Sequence, residues 1–245
     1  MAVPNSPFNL SGGRTIRASG NGGTDTFTIL GGVAAVLNGT GGTNTFTVSN
    51  YTGTATLTGN GSDTVVASKN ANFTLTNTSL VSGSMNLTLS GITTANLTGG
   101  VGNNTFTVPG WTGAGTLAGG GGTDTVIASI NASFTLTNSL LTASNGLSLV
   151  LAGIASDTLT VTNNTATARV VNASAFTGNS TLTAGGSGKA TLLGGLGNDT
   201  LTINGSGMGT LTGPTGAGTA SNWFIRKTAR DKILSRVSET ITTFP

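Results

Sequence analysis

Apolar and polar residues alternate with a period of two in a series of short segments. Examples are Thr26-Phe27-Thr28-Ile29, Thr45-Phe46-Thr47-Val48, Thr74-Leu75-Thr76 and Thr200-Leu201-Thr202-Ile203. In an extended chain this alternation sends the apolar side chains to one face and Thr to the other. The segments are bounded by Gly-Gly or Asn-Gly corners, where Gly tolerates the positive φ that a tight corner demands. Strands this short do not make a stable hairpin sheet on their own. They suit a chain that coils and stacks each turn on the last.

The spacing of the segments carries the same message. The unit [Asp or Asn]-Thr-apolar begins at Asp25, Asn44, Asp63, Asn104, Asp124, Asp157 and Asp199. Most of these intervals fall near one or two multiples of about 20 residues, the length of one repeat coil. A second unit, aromatic-Thr-Gly-x-x-Thr-Leu, runs from Tyr51 to Leu57, Trp111 to Leu117 and Phe176 to Leu182. The stretch that starts at Ser62, SDTVVASKNANFTLTN, returns as TDTVIASINASFTLTN from Thr123. These recurrences predict an all-β chain, a right-handed parallel β-solenoid of about 20 residues per coil, with a supercycle of three coils. A hairpin-built sandwich is the structural rival, since Asn38-Gly39 and Asn60-Gly61 also suit two-residue hairpin turns. The expected organisation is an N-terminal cap or docking segment at 1–20, the solenoid at 21–221 and a short non-repeat C-terminal segment, a cap or docking segment, at 222–245.

Stacked coils about 4.8 Å apart would give a rod on the order of 50 Å long. The expected inward ladders are Phe27, Phe46 and Val65, then Phe106 and Val126, with Leu57, Leu117 and Leu182 forming a second wall. Asp25 is expected to stack on Asn44 and Asn44 on Asp63. That alternation keeps unit charges two coils apart and leaves the amide to hydrogen-bond along the axis.

Composition narrows the chemistry. Charged residues make up only 7 % of the chain, against roughly 25 % in ordinary soluble domains. His and Cys are absent, which removes imidazole- or thiolate-based catalysis and metal binding, as well as disulfides. Before Asn222 five basic residues balance five Asp, so the net charge of +3 resides in the tail. A nucleic-acid surface needs basic residues along a face with aromatics between them, and the body offers neither. Catalytic carboxylate pairs are not expected either, because the Asp residues fall on separated coils. The chain is therefore read as not an enzyme. No apolar run reaches the length of a membrane span, and Met1 to Gly13 has no secretion-signal pattern.

The string Gly194-Gly195-Leu196-Gly197-Asn198-Asp199-Thr200-Leu201-Thr202 fits the nonapeptide GGxGxDxUx, and so does Gly119 to Ile127. Gly99 to Thr107 fits with Asn104 in place of Asp. In these motifs the chain resembles the repeats-in-toxin, or haemolysin-type, β-roll family. Its general layout is similar to the haemagglutinin-type β-solenoid proteins of bacterial surfaces. The first resemblance implies calcium, with Asp124 and Asp199 as the candidate ligands. In that family, however, the nonapeptides follow one another directly, whereas here they are never in tandem. A tight calcium site gathers six to eight oxygens from several carboxylates. Folding is therefore expected to need no calcium and no other cofactor, with the Gly and Asp making tight corners in which the Asx side chain caps its own turn.

From Asn222 the pattern breaks into NWFIRKTARDKILSRVSETITTFP. Ile225, Ala229, Ile233, Val237 and Ile241 recur at every fourth position, which predicts an amphipathic helix. Trp223, Phe224, Ile225, Ile233 and Val237 are the candidate assembly residues, because the open end of a solenoid needs a cap or a partner. The resulting expectation is an extracellular or cell-surface structural protein whose copies associate head to tail into a surface or matrix fibre. The expected partners are copies of itself, with a glycan or cell-surface contact as a further candidate, and no nucleic acid. The alternatives are a monomeric adhesin stalk or an ice-binding protein built on Thr-x-Thr arrays.

Overall fold

The computed structural model describes residues 15–31, 34–204 and 206–213, together with the backbone strands at 8–10, 223–227, 232–236 and 241–243. Among them there is no helix: the protein is all-β, and its strand pairing is mostly parallel. The chain divides into two compact units, Met1–Asp124 and Thr125–Pro245.

The first unit holds β1 (Phe8–Leu10), β2 (Ile16–Ser19), β3 (Thr26–Ile29), β4 (Ala35–Asn38), β5 (Thr45–Ser49), β6 (Thr54–Ser68), β7 (Phe73–Thr76), β8 (Ser79–Ser82), β9 (Met85–Thr98), β10 (Thr105–Thr107) and β11 (Ala114–Ala118). One run of parallel strands stacks β1, β3, β5, the second half of β6, the second half of β9 and then β11. The other stacks β2, β4, the first half of β6 and the first half of β9. Between β1 and the second half of β6 the register advances by the same step at every strand pair, as in Phe8↔Phe27, Phe27↔Phe46 and Phe46↔Val65. The pairing thus reaches back to Phe8, ahead of Asn21.

Period-two alternation becomes a core here. Phe27, Phe46 and Val65 share one column and are at most 1 % exposed, and the rings of Phe27 and Phe46 stack at 5.2 Å and 10°. The next column runs Ile29, Val48, Ala67, Leu97 and Leu117, all buried. Leu57 does not belong with Leu117. It sits in the other run, between Leu37 and Leu89. The expected Leu57–Leu117 wall is therefore divided between the two runs. The physical reason lies at 69–90. There β7, β8 and the start of β9 form an antiparallel meander, which interrupts the parallel pairing and moves later segments to another run. The supercycle is thus not three equal coils. β7 itself resumes parallel pairing with β10 at a longer offset, Phe73↔Phe106, and the two rings stack at 5.6 Å.

The second unit repeats the device. β12 (Asp124–Ile130) begins at the boundary, followed by β13 (Phe134–Thr137), β14 (Leu140–Ala143), β15 (Ser148–Ala152), β16 (Ile154–Thr162), β17 (Arg169–Ala175), β18 (Asn179–Gly185), β19 (Ala190–Leu193), β20 (Thr200–Asn204) and β21 (Gly209–Thr212). Strands β13, β14 and β15 make a second antiparallel meander. Two parallel runs follow: β16, β18, β20 and β13, β17, β19, β21. Leu182 lies in the first of these, between the buried Leu159 and Leu201.

The aromatic-Thr-Gly unit is a corner in both units. Trp111 and Phe176 are each 1 % exposed, and a β-carbon on Gly113 or Gly178 would meet the ring and a neighbouring carbonyl. Asn77 Oδ1 accepts the Thr112 N–H at 3.0 Å, and Asn138 Oδ1 accepts the Thr177 N–H at 2.9 Å.

The described residues of the tail are strand and not helix. β22 (Trp223–Lys227) extends the first run of the second unit by pairing in parallel with β20. β23 (Lys232–Arg236) then pairs antiparallel with β22, and β24 (Ile241–Thr243) antiparallel with β21. The unpaired edges of β20 and β21 offer free N–H and C=O groups, and satisfying them outweighs the weak helical stripe.

Phe106→Ala removes a fully buried ring from its stack on Phe73 and is expected to cost roughly 3 to 5 kcal/mol. Thr107→Ala, on the opposite face, is expected to stay within about 0.5 kcal/mol. Denaturant unfolding of both variants checks the face assignment, which equal losses would contradict.

Candidate functional site

The chemistry-bearing side chains of the body are the Asx residues, and the fold draws them inward. Asp25, Asn44, Asp63, Asn104, Asp124, Asp157 and Asp199 are all 3 % exposed or less. In most of them the residue stands just before a parallel strand, where the corner enters the run, and an acceptor is taken by backbone. Asn44 Oδ1 accepts the Asp25 N–H at 3.0 Å, and Asp63 Oδ1 accepts the Asn44 N–H at 2.5 Å. Asp124 Oδ1 accepts the Asn104 N–H at 2.6 Å, and Asp199 Oδ1 accepts the Ser180 N–H at 3.0 Å. The second oxygen of Asp25 and of Asp63 turns back on its own corner, to the N–H of Asn21 at 3.2 Å and of Asn60 at 2.5 Å. The side chain therefore caps its corner, as expected. It also bonds to the backbone of the corner stacked before it, which residue spacing alone does not reveal.

Glycine makes the space for this. A β-carbon on Gly20, Gly39, Gly59, Gly99, Gly119 or Gly194 would collide with the side chain of Asp25, Asn44, Asp63, Asn104, Asp124 or Asp199, respectively. The leading Gly of the nonapeptide is thus a seat for the Asx side chain that follows it in the same corner. The motif closes sterically, and in Asp124 and Asp199 it directs one carboxylate oxygen to a backbone N–H of its neighbour. Among the described residues no three His, Cys, Asp or Glu side chains gather where they could hold a metal ion. Asp124 and Asp199 stand in different units, and one oxygen of each is already taken by a backbone N–H.

In the second unit the rungs are Asp157, Ser180 and Asp199. The Ser180 hydroxyl donates to Asp157 Oδ2 at 2.5 Å while its N–H goes to Asp199. Asp157 Oδ1 has no hydrogen-bond partner among the described residues. Burial pushes the Asp157 carboxyl up to about 7, with the Ser180 hydrogen bond pulling down and the nearby Asp199 charge adding to the rise. Burial likewise lifts Asp199 to about 6, against the Ser180 and Gly195 N–H groups that favour its charged form.

Thr occupies the outward positions in register. In the first unit Thr26, Thr45, Thr64 and Thr94 form one column, and beside it Thr28 and Thr47 are followed by Val66, Asn96 and Thr116. In the second unit Thr158, Thr181 and Thr200 stand beside Thr160, Thr183 and Thr202. The Thr residues thus form a double column in the second unit and, in the first, one Thr column beside a mixed one. Most are half-buried against their neighbours, and Thr202 is buried.

Of the candidate assembly residues, Trp223, Phe224 and Ile225 lie in β22 and Ile233 in β23, while Val237 lies outside the described residues. Comparison of the chain with protein-family models, curated proteins and solved structures finds no match.

Gly119→Ala is expected to cost about 1 to 3 kcal/mol through the clash with Asp124. Gly121→Ala meets only Val101 at ordinary contact, 3.4 Å, and is expected to stay within about 0.5 kcal/mol. Chemical denaturation of the two variants separates a seat for Asx from a general need for Gly.

Asp157 and Asp199 also set a pH dependence. Their folded pKa values, about 7 and about 6, lie above the ordinary 3.8, so across that window the native state holds protons that the unfolded chain has released. Stability from these groups is then greatest at the acid end and falls as pH rises towards the folded values. The melting temperature should decline from about pH 4 to about pH 7 and level off above that, and Asp157→Asn should flatten the slope. An unchanged slope in that variant would remove Asp157 as its source.

Proposed function

We propose that the chain is a structural protein of the extracellular or cell-surface space, a right-handed β-solenoid whose copies associate end to end into a fibre. The observation that carries this reading is the parallel register, whose 19-residue step occurs in both units: Phe27↔Phe46 from β3 to β5, and Leu182↔Leu201 from β18 to β20. β22 and β24 already pair with β20 and β21, so another copy would join the stack through the tail strands, which deletion of 222–245 removes. A non-catalytic role is supported by the carboxylates of the body, which are buried and mostly engaged with backbone. No helix among the described residues is long and apolar enough to cross a membrane.

A second reading, ice binding, is favoured by the Thr columns. β-Branched side chains held half-buried in register are stiff at χ1, and they carry hydroxyl and methyl groups at two regular spacings, about 4.8 Å across strands and about 6.6 Å along them.

Negative-stain imaging and sedimentation of the full chain test the first reading, and ice-growth measurements test the second. The fibre reading expects filaments that are lost on deletion of 222–245. A chain that stays monomeric at high concentration with intact β structure would overturn it and leave the adhesin stalk. Slowed ice growth, lost on Thr183→Tyr, would support the second reading.

A further inference from the structure

We infer that Asn21-Gly22 is a self-modifying site, at which Asn21 converts spontaneously to aspartate and isoaspartate. The chemistry needs three things: a side-chain carbonyl folded over the next peptide, a free nitrogen to attack it, and an amide able to leave. Four Asn-Gly bonds have both residues described, and Asn21-Gly22 differs from each of the others in at least one of these respects.

At Asn21 the side chain makes an Asx turn, its Oδ1 accepting the Gly23 N–H at 3.2 Å. This turn folds the carboxamide back over the Gly22 peptide. Among the described residues the Gly22 N–H makes no hydrogen bond to backbone or side chain, and neither does Asn21 Nδ2. Both residues are exposed, and Gly22 has φ +94 with no side chain to hinder approach. The other bonds are held. The Gly39 N–H donates to Thr58 O at 2.8 Å and the Gly146 N–H to Ala143 O at 3.1 Å. Asn60 makes the same turn, to the Ser62 N–H at 3.1 Å, but its Nδ2 is fixed on Gly42 O at 2.6 Å.

In the reaction the Gly22 nitrogen attacks Asn21 Cγ. The new C–N bond closes a five-membered imide, and the side-chain nitrogen leaves as ammonia, taking the proton from the attacking nitrogen. Water then adds to either imide carbonyl, and C–N cleavage gives aspartate or isoaspartate with no oxidant or reductant involved. The isoaspartyl product carries an extra backbone methylene at the corner where the Asn21 N–H meets Asp25 Oδ2, so conversion loosens the first rung of the ladder. This inference does not depend on the proposed assembly.

Incubation of the folded full-length protein in mildly alkaline buffer, followed by peptide mass mapping and enzymatic isoaspartate detection, tests it. Asn21 is expected to convert several-fold faster than Asn38, Asn60 or Asn145, and Asn21→Gln to abolish that signal. In denaturant the four bonds should react at similar rates, since only the fold separates them. Faster conversion at any of the other three in the folded protein, or an Asn21 rate no higher than theirs, would overturn the assignment.

Discussion

The interaction on which the rest depends is the one between a buried Asx oxygen and the backbone N–H of the corner stacked before it. A corner that enters a parallel run turns its N–H groups inward, away from water, and an unpaired buried N–H costs about 1 to 3 kcal/mol. Asp and Asn supply an acceptor short enough to reach it: Asn44 for Asp25, Asp63 for Asn44, Asp124 for Asn104 and Asp199 for Ser180. Without a Cβ at the preceding Gly, the side chain has somewhere to lie. The alternating strands then bury Phe and Leu in columns because their corners are held in register first.

The choice between Asp and a neutral rung follows from electrostatics. Carboxylates on adjacent strands, about 4.8 Å apart, would repel by roughly 3 to 4 kcal/mol at an effective dielectric of about 20, and about half that two strands apart. The first unit places Asn44 between Asp25 and Asp63, and the second places Ser180 between Asp157 and Asp199. The two spacers are not equal. Asn44 donates to Gly41 O while accepting from Asp25, whereas Ser180 must serve both neighbours and leaves one Asp157 oxygen without a donor among the described residues. Burial then decides the balance, and Asp157 holds its proton up to about 7.

These contacts explain what was legible in the sequence. The all-β class, the Phe27–Phe46–Val65 column and the Asp25–Asn44–Asp63 ladder could be read because the even coil spacing and the period-two alternation act on the same strands. The Leu57–Leu117 wall could not, because the spacing from Tyr51 to Trp111 conceals the β7–β8 reversal: TLTN at 74–77 looks like any other strand-and-corner. The signal was present in Asn77 and Asn138, which recur with the long repeat and bind the corner before β11 and before β18. The tail misled for a different reason. An apolar residue at every fourth position over Ile225 to Ile241 describes a helix in isolation, but two open strand edges compete for the same residues.

The Gly-rich nonapeptide can likewise be understood without an ion. The features it shares with calcium-binding β-rolls, a Gly pair, a further Gly and then Asp, are what a parallel strand run needs to seat an inward acceptor at a corner. Asn104 fills the Asp position in one copy and performs the same task, accepting the Gly100 N–H at 2.7 Å. An amide is a weaker calcium ligand than a carboxylate but still a competent acceptor for a backbone N–H, so Asn104 meets the demand of the corner. The same logic extends to the outer face. Once buried Asx side chains set the register, Thr at alternate positions must align in columns, and its regularity follows from the core before any surface partner is considered.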